Sequence, residues 1–297
     1  MDVISIRDIS KKMIEEILSS AEKMEKKIGT KMESDKVVAT LFFEPSTRTK
    51  LSFQTACSRL GMKYIDFIKE LSSVKKGESF TDTIRNIDGY VDIIVIRHPK
   101  EGSARLAAEV AECPVVNGGD GGNQHPTQTL IDLYTMQKCK GKIKELNVNL
   151  VGDLKHARAM QSLLWGLAMF GANIKLTSPR GLEMNADLVK EVKEKFGAKI
   201  EETNEFDVNG TDVIYACRIQ VERFADPYEA MSVQKKFAIT MNNLKGAKDD
   251  LIIMHPLPKV NEIAPEIDHS PYAKYFEQAW NGIPVRMAVL DYMLKNR

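Results

Sequence analysis

Short apolar runs alternate with longer amphipathic segments along nearly the whole chain, and this alternation constrains its fold more than any other feature. Val37–Phe43 is a β-branched apolar run typical of a buried strand, and the segment from about Thr49 to Gly61 repeats apolar residues at helical spacing. The same order of strand, turn and helix recurs in both halves of the sequence. Because such alternation produces parallel sheets covered by helices, we predict an α/β protein with two doubly wound parallel-sheet domains joined by interdomain helices.

The pattern places nine strands and nine helices along the 297 residues. The predicted strands are 37–43, 64–68, 91–96, 114–117, 148–151, 174–178, 199–201, 213–216 and 251–254. The predicted helices are one from about residue 11 to Gly29, which Asp8 or Ser10 caps, and then 49–61, 80–90, 103–111, 126–140, 158–170, 187–196, 271–280 and 284–296. We expect one domain over residues 1–134, a second over 135–280, and a C-terminal helix over 281–297 that returns to the first domain.

Composition narrows the possible partners. The chain has 42 Lys and Arg against 41 Asp and Glu, a net charge of +1, so it lacks the basic excess of an extended nucleic-acid-binding surface. The longest apolar stretch, Leu163–Ala172, is about half of the ~20 residues that a membrane span needs. The start shows no secretory signal, and the four cysteines form no CxxC pair. We therefore expect no nucleic acid, no membrane and a cytoplasmic location with free thiols.

Ligands of an open parallel sheet bind beyond the carboxyl ends of its strands, so polar residues that follow strands are the candidate site residues. The first set is Ser46, Thr47, Arg48 and Thr49, between a predicted strand and a predicted helix. A helix N-terminus with hydroxyl and guanidinium donors suits a phosphate group. The alternative is that Ser46 or Thr47 only caps the helix and that Arg48 is solvated.

Three further sets follow later strands. Arg97 comes directly after the strand 91–96, and His125 stands three residues before Gln128, on one helical face. In the second half, Arg158 opens a helix, and Arg218 and Gln220 follow the strand 213–216, with Arg223 nearby. Two arginines in such positions suit a dicarboxylate, because guanidinium binds carboxylate bidentately. Surface ion pairs and a structural histidine are the alternatives.

Other kinds of catalytic site lack their sequence signals. The five histidines form no HExxH motif and no His/Cys cluster at zinc spacing, and there is no GxSxG elbow. The strand 148–151 runs into Gly152-Asp153 without a GxGxxG motif, which disfavours a nicotinamide enzyme.

Five motifs resemble those of a known family. They are Phe42–Thr49 (FFEPSTRT), Ser72–Ser79 (SSVKKGES), Arg97–Pro99 (RHP), His125–Gln128 (HPTQ) and His255–Pro258 (HPLP). The first, third and fourth resemble the carbamoyl-phosphate signature of the carbamoyltransferases. The other two are similar to the aspartate branch of that family, since an ornithine enzyme is expected to show a cysteine in the last tetrad.

The resemblance implies transfer of the carbamoyl group of carbamoyl phosphate to the amine of L-aspartate, in de novo pyrimidine biosynthesis, with no metal and no organic cofactor. It implies that the first domain binds carbamoyl phosphate and the second binds aspartate. The residues that would hold carbamoyl phosphate are Ser46, Thr47, Arg48, Thr49, Ser72, Lys76, Arg97, His125 and Gln128. Of these, Thr49, Arg97 and His125 would donate to the carbamoyl oxygen, and Arg48 and Lys76 would balance the charge of the leaving phosphate.

For aspartate, the resemblance implies that Arg158 holds the α-carboxylate and that Arg218 and Gln220 hold the side-chain carboxylate. Lys76 would also contact aspartate, and the backbone carbonyls of Pro256 and Leu257 would face the substrates. Glu44 would pair with Arg158 and Arg223 when the domains close.

Family members are trimers with shared sites, so Ser72 and Lys76 would act in the neighbouring chain. Some relatives also bind a separate zinc-containing regulatory chain. Two departures concern aspartate affinity: Cys217 stands where threonine is expected, and His156 where an aromatic hydroxyl is common. The alternatives that remain are a carbamoyltransferase for another amine and a non-catalytic scaffold or ligand-sensing protein that keeps the fold.

Overall fold

The computed structural model describes residues 1–68, 73–220 and 226–296. The chain divides into two compact units, Met1–Tyr134 with Asn281–Arg297, and Thr135–Trp280. Each unit contains one parallel sheet accompanied by helices. The predicted fold class, two parallel-sheet α/β domains, is therefore confirmed.

The first unit contains a four-stranded sheet. Its strands are β1 (Val37–Phe42), β2 (Lys63–Ile68), β3 (Ile93–His98) and β4 (Val115–Asp120). Its helices are α1 (Lys11–Lys26), α2 (Thr47–Arg59), α3 (Phe80–Asp88) and α4 (Ser103–Val110), with 3₁₀ turns at Ile6–Asp8 and Ser73–Lys76. The strand order β2-β1-β3-β4 changes direction between β1 and β3. That crevice is where a doubly wound sheet binds ligands.

The second unit contains a five-stranded sheet. Its strands are β5 (Asn147–Val151), β6 (Asn173–Thr177), β7 (Ile200–Thr203), β8 (Val213–Ala216) and β9 (Ile252–Met254). Its helices are α6 (Arg158–Met169), α7 (Ala186–Phe196) and α8 (Pro227–Phe237), with a 3₁₀ turn at Pro265–His269. The order β7-β6-β5-β8-β9 changes direction between β5 and β8, which gives this sheet its own crevice.

Two longer helices contain the boundaries between the units. They are α5 (Pro126–Lys140) and α9 (Tyr275–Lys295). Along residues 1–68, 73–220 and 226–296, no helix combines the length and the apolar character that a membrane crossing requires.

Apolar burial and helix caps explain why these elements form. In the first unit, Leu41 on β1 and Ile94 on β3 are fully buried, and in the second unit Ile214 and Ile253 fill the same role. Ser10 caps α1, because its hydroxyl accepts the backbone N–H of Met13 at 3.2 Å. Of the two predicted caps, Ser10 is therefore the correct one.

Several predicted elements differ from those in the structure. Helix α2 begins at Thr47 rather than near Thr49, and β3 ends at His98 rather than Ile96. The helices predicted over 271–280 and 284–296 are one helix, α9, because the buried residues on both sides of Pro284 outweigh the cost of about 3 kcal/mol for an interior proline. Helix α8 was not predicted, since its sequence has little apolar periodicity.

Candidate active site

The segment that links β1 to α2 carries the first candidate set at the crevice of the first sheet. Ser46 is extended (φ −159°, ψ 89°) and its side chain makes no capping hydrogen bond. Thr47, Arg48 and Thr49 form the first turn of α2, whose backbone N–H groups have no partner within the helix. This geometry argues against a capping role for Ser46 and leaves its hydroxyl at a helix N-terminus, where an anion is stabilised.

Arg48 and Thr49 differ in their surroundings. The side chain of Arg48 is exposed, and in the described part of the chain no carboxylate pairs with it. Thr49 is buried, and its methyl group lies against Gly118, where an added Cβ would be 3.6 Å away. The turn therefore presents one exposed cation and one fixed hydroxyl residue.

Arg97 belongs to β3 rather than to the segment after it, because its backbone pairs in register with Phe42 on β1. Its Nη2 is 2.7 Å from a carboxylate oxygen of Glu44, and its Nη1 donates to the carbonyl of Gly118 at 3.1 Å. Only 12% of its side chain is exposed. These contacts hold the guanidinium beside the first turn of α2 with its charge already compensated by a carboxylate.

The next residue, His98, is a packing residue. Its ring lies 4.9 Å from the ring of Phe43 and 5.4 Å from that of Phe80, measured between centroids. Its Nδ1 accepts the backbone N–H of Lys100 at 3.0 Å. In the RHP motif, the arginine rather than the histidine is therefore the candidate ligand-binding residue.

His125 and Gln128 lie at the start of α5. His125 is 7% exposed, and its carbonyl accepts the backbone N–H of Gln128 at 3.0 Å. The Nε2 of Gln128 donates to Asp132 at 2.8 Å. Because this bond fixes which way the amide points, the Oε1 of Gln128 is the atom left to accept a hydrogen bond from a ligand.

Lys76 belongs to the segment that follows β2. Lys76 ends the 3₁₀ turn Ser73–Lys76 with its side chain exposed, and no carboxylate within residues 1–68, 73–220 and 226–296 pairs with it. Ser72 lies outside the described residues.

In the second unit, the predicted cations follow the two strands that border the crevice. Arg158 is the first residue of α6, reached from β5, and it is half-buried. Arg218 is exposed and Gln220 is half-buried, both just after β8. The sheet order therefore brings the segments of Arg158 and Arg218 to one edge. Arg223 lies outside the described residues.

Beneath these side chains the backbone is closely packed. Gly152 has φ +125°, and a Cβ placed there would be 2.3 Å from the carbonyl oxygen of Cys217. The Sγ of Cys217 lies 3.4 Å from the carbonyl of Asp153, and burial raises the pKa of this thiol, so it stays protonated and donates. The carboxylate of Asp153 is 3.0 Å from Nδ1 of His156. The two departures from the family pattern thus contact the same residue.

The HPLP tetrad, His255–Pro258, follows β9 and is held by the buried pair of His255 and Glu262. Nδ1 of His255 accepts the backbone N–H of Leu257 at 2.8 Å, so Nε2 carries the ring proton and faces Glu262, also at 2.8 Å. Burial disfavours the charged form of Glu262, but the ring N–H of His255 and the backbone N–H of Val260 outweigh it and lower its pKa. Leu257 adopts φ +53°, a strained conformation for a branched side chain.

A cavity of about 560 Å³ lies elsewhere, at the edge of the second sheet where its strands begin. Asn147, Asn173 and Lys199 are among its lining residues, and no candidate site residue lines it. Among the described residues, no cluster of three or more His, Cys, Asp or Glu has the geometry of a metal site.

Comparison with known protein families identifies the family of this chain. Residues 1–138 match the model of the aspartate/ornithine carbamoyltransferase carbamoyl-P binding domain, and residues 144–293 match that of the Asp/Orn binding domain. The chain belongs to the aspartate/ornithine carbamoyltransferase family.

Relatives of high similarity extend over the full chain. The aspartate carbamoyltransferase catalytic subunit of Thermococcus onnurineus is 51% identical, over 99% of this chain and 96% of its own length. That of Methanopyrus kandleri is 49% identical, over 99% and 97%. The solved catalytic subunit of M. jannaschii aspartate transcarbamoylase is 46% identical with a TM-score of 0.93, covering 100% of this chain and 98% of that one. A Trypanosoma cruzi aspartate transcarbamoylase solved with carbamoyl phosphate and aspartate is 33% identical with a TM-score of 0.92, over 97% and 94%.

Several supporting residues were not predicted from the sequence. They are Ser52, Asp132, Glu262 and Arg286. For Arg286 a signal was present, since it is the single charged residue in the otherwise apolar run 283–290. A lone charge in such a run indicates a buried ion with a specific partner.

Proposed function

We propose that this chain is the catalytic chain of an aspartate carbamoyltransferase. It transfers the carbamoyl group of carbamoyl phosphate to the amine of L-aspartate, giving N-carbamoyl-L-aspartate and phosphate, in pyrimidine biosynthesis. The observation that carries the proposal is the first turn of α2: an uncapped helix N-terminus with Ser46, Thr47 and Arg48, beside Arg97, at the crevice of a parallel sheet.

Carbamoyl phosphate binds to the domain formed by residues 1–134. Its phosphate contacts Ser46, Thr47, Arg48, Thr49 and Arg97. Its carbamoyl oxygen accepts hydrogen bonds from Thr49, Arg97 and His125, and Gln128 binds the carbamoyl amide. The orientation of the Gln128 amide supports this role, since its oxygen is available to accept a hydrogen bond from the carbamoyl N–H.

Aspartate binds to the domain formed by residues 135–280. Arg158 holds its α-carboxylate, Arg218 and Gln220 hold its side-chain carboxylate, and the carbonyls of Pro256 and Leu257 face the substrates. The strand order supports this assignment, because β5 and β8 deliver Arg158 and Arg218 to one sheet edge.

The reaction needs positioning and charge rather than a strong base. The neutral amine of aspartate attacks the carbamoyl carbon, and negative charge builds on the carbonyl oxygen as a tetrahedral intermediate forms. Donors fixed before the reaction stabilise that charge without reorganisation, and this is the role of Thr49, Arg97 and His125. The phosphate then leaves with the proton of the amine, its charge balanced by Arg48 and Lys76.

The proposal includes a homotrimer in which Ser72 and Lys76 complete the site of a neighbouring chain, Lys76 reaching both substrates. The exposed, unpaired ammonium of Lys76 within the described residues supports this assignment. It also includes domain closure, in which Glu44 leaves Arg97 and pairs with Arg158 and Arg223, and in which helix 281–297 belongs to the first domain. A cytoplasmic location is proposed on the four free thiols.

A separate zinc-binding regulatory chain remains a prediction. Light scattering of the purified protein, alone and with such a chain from the same genome, measures both assemblies. We expect the mass of three chains for the protein alone, and a larger particle in the mixture would show that a regulatory chain binds.

The proposed reaction is tested with ¹⁴C-labelled carbamoyl phosphate and either aspartate or ornithine as acceptor. We expect N-carbamoyl-L-aspartate and inhibition by N-(phosphonacetyl)-L-aspartate, the ligand of a solved T. cruzi relative. Label in citrulline alone would assign the chain to the ornithine branch. Phosphate binding by a folded trimer without any turnover would indicate a non-catalytic protein.

A further inference from the structure

Arg286 on α9 is a fully buried arginine. Its side chain is 3% exposed, and its neighbours Val285 and Met287 are completely buried. Removing a guanidinium ion from water is unfavourable unless specific partners compensate its charge and its donors. The partners of Arg286 therefore indicate what the ion is there to hold.

Those partners lie on α2. The first turn of this helix, Thr47–Thr49, is proposed to bind the phosphate and is called the phosphate turn below. Nη1 of Arg286 donates a hydrogen bond to the hydroxyl of Ser52, and its guanidinium carbon lies 4.8 Å from the centre of the Phe53 ring. Gly282, one turn earlier on α9, leaves the space for this side chain, since a Cβ there would be 2.7 Å from Nη1. The guanidinium is thus held between two helices of the first unit.

Ser52 transmits this contact to the first turn of α2. Its Oγ is 2.6 Å from the carbonyl oxygen of Arg48 and 3.0 Å from that of Thr49. Because arginine only donates hydrogen bonds, the Ser52 hydroxyl must accept from Arg286 and direct its single proton to those carbonyls. Arg286 therefore sets the direction of the hydrogen bond that joins Ser52 to the phosphate turn.

The charge of Arg286 also acts on other candidate residues. Burial, and to a smaller extent the charge of Arg97, lowers the pKa of Arg286 from 12.5 to about 9, and the charge of Asp132 opposes both effects. The group remains charged at pH 7. Asp132 is the carboxylate that fixes the amide of Gln128. Arg286 is thus coupled to the α2 turn, to Arg97 and, through Asp132, to Gln128.

We propose that Arg286 is a positioning residue for the carbamoyl-phosphate half of the site: through Ser52 it fixes the first turn of α2, so that Arg48, Thr49 and their N–H groups face the anion before it binds. The inference rests on the proposed function, which identifies the anion. Arg286 does not contact the substrate in this role. It removes the need for the turn to order when phosphate arrives, and it adds positive charge beneath the site.

The test compares Arg286→Gln, Arg286→Lys and Ser52→Ala with the wild-type chain. The readouts are the Kd of inorganic phosphate by calorimetry, kcat, and the KM values of both substrates. For Arg286→Gln we expect phosphate Kd and carbamoyl-phosphate KM to rise roughly tenfold or more, the scale of one hydrogen bond to a charged group, with kcat lowered. Aspartate KM stays unchanged, because the aspartate residues lie in the other domain. Arg286→Lys restores part of the loss, since it keeps the charge without the planar fork.

Ser52→Ala separates positioning from general stability. It raises phosphate Kd less than Arg286→Gln does, and it adds little in the Arg286→Gln background, because the two residues act as one unit. The matched control is Met287→Ala, an equally buried position on the same helix. It lowers the melting temperature and leaves phosphate Kd unchanged.

Wild-type phosphate binding by Arg286→Gln or Ser52→Ala would overturn the inference, as would an equal rise in Kd for Met287→Ala. If Arg286→Gln does not fold, Ser52→Ala decides alone, because it keeps the buried cation. Failure of the proposed function looks different: the wild-type chain would bind phosphate in an Arg286-dependent way and yet carbamoylate no aspartate.

Discussion

In the first unit, one arginine proposed to bind the anion, Arg97, is largely buried, whereas in the second unit the arginines proposed to bind aspartate lie nearer the surface. Arg97 is 12% exposed between Glu44 and the carbonyl of Gly118. Arg218 is exposed, and Arg158 is half-buried. In the proposed reaction, Arg97 is thus held on the side where negative charge develops, and this is where preorganised donors increase the rate most.

What the second unit fixes is its backbone. Gly152 is packed against the carbonyl of Cys217, and the His255–Glu262 pair holds the loop that carries Leu257. The comparison teaches that the first unit orders a proposed anion-binding arginine in advance, whereas the second unit orders the backbone that carries the proposed aspartate-binding side chains. Substitutions in the two units should therefore change different kinetic constants.

Arg48→Ala should have the largest effect on activity. Losing one exposed cation that stabilises the developing and leaving charges lowers kcat on the order of 10²–10³-fold, with phosphate Kd raised and the melting temperature unchanged. Steady-state kinetics and calorimetry measure these values. Arg59→Ala, an exposed arginine at the other end of α2, is the control and should match the wild type. Full turnover by Arg48→Ala would contradict the proposed phosphate-binding role of the first turn of α2.

Gly152→Ala tests the backbone frame of the second unit. A methyl group 2.3 Å from a backbone carbonyl, at φ +125°, should destabilise the chain by about 3 kcal/mol and raise aspartate KM. Phosphate Kd should not change. Gly181→Ala is the control, because Gly181 has φ +82° with nothing near its Cβ position, so it carries the strain without the clash. Equal losses in both variants would show that close packing contributes nothing. Urea denaturation supplies the measurement.

Glu262→Gln tests the buried pair in the tetrad loop, and its effect depends on pH. The pKa of Glu262 is lower in the folded chain than its ordinary value of 4.5, so its contribution to stability is complete above that pH and is lost as pH falls through the folded pKa. At pH 7 the variant should lose about 2 kcal/mol, and the two stability curves should converge in acid. Glu266→Gln, an exposed carboxylate nearby, should match the wild type at every pH. Curves that remain parallel in acid would contradict the assignment.

Glu44→Gln should have the smallest effect. In the described structure its carboxylate lies 2.7 Å from Nη2 of Arg97, where we expect it to compete with an arriving phosphate. Removing a partly exposed ion pair worth about 1 kcal/mol should lower phosphate Kd roughly fivefold. Glu33→Gln, which breaks an exposed pair with Lys31, changes the net charge equally and is the control. A raised Kd would mean that Glu44 holds Arg97 in its binding orientation instead.

The sequence predicts the fold class and most elements, because buried parallel strands and amphipathic helices differ in their apolar period. It also predicts that the residues after strands matter, since topology gathers strand ends at one edge. It does not predict where α2 begins or β3 ends, because polar residues such as Thr47 and Arg97 continue a helix or a ladder as readily as they end one. For β3, hydrogen bonding to the neighbouring strands decides where the strand ends.

The supporting contacts are harder to predict for another reason. Arg286 and Ser52 are 234 positions apart, and only the folded chain brings them together. The pairing of His255 with Glu262 depends on the turn between them rather than on a regular period. Motifs identify the groups that face a substrate, but the groups behind them carry no repeated spacing that a single sequence displays.

The carboxylate that rests on Arg97 has a consequence for ion selectivity. A guanidinium already neutralised by a carboxylate attracts a chloride ion only weakly. Chloride carries the same single charge as the carboxylate, and the carboxylate is already within hydrogen-bond distance of the guanidinium. A phosphoryl group has more charge and several oxygens, and it can contact the guanidinium and the helix N–H groups together. We therefore expect the proposed anion site to discriminate against monovalent ions and to bind a polyvalent anion most strongly.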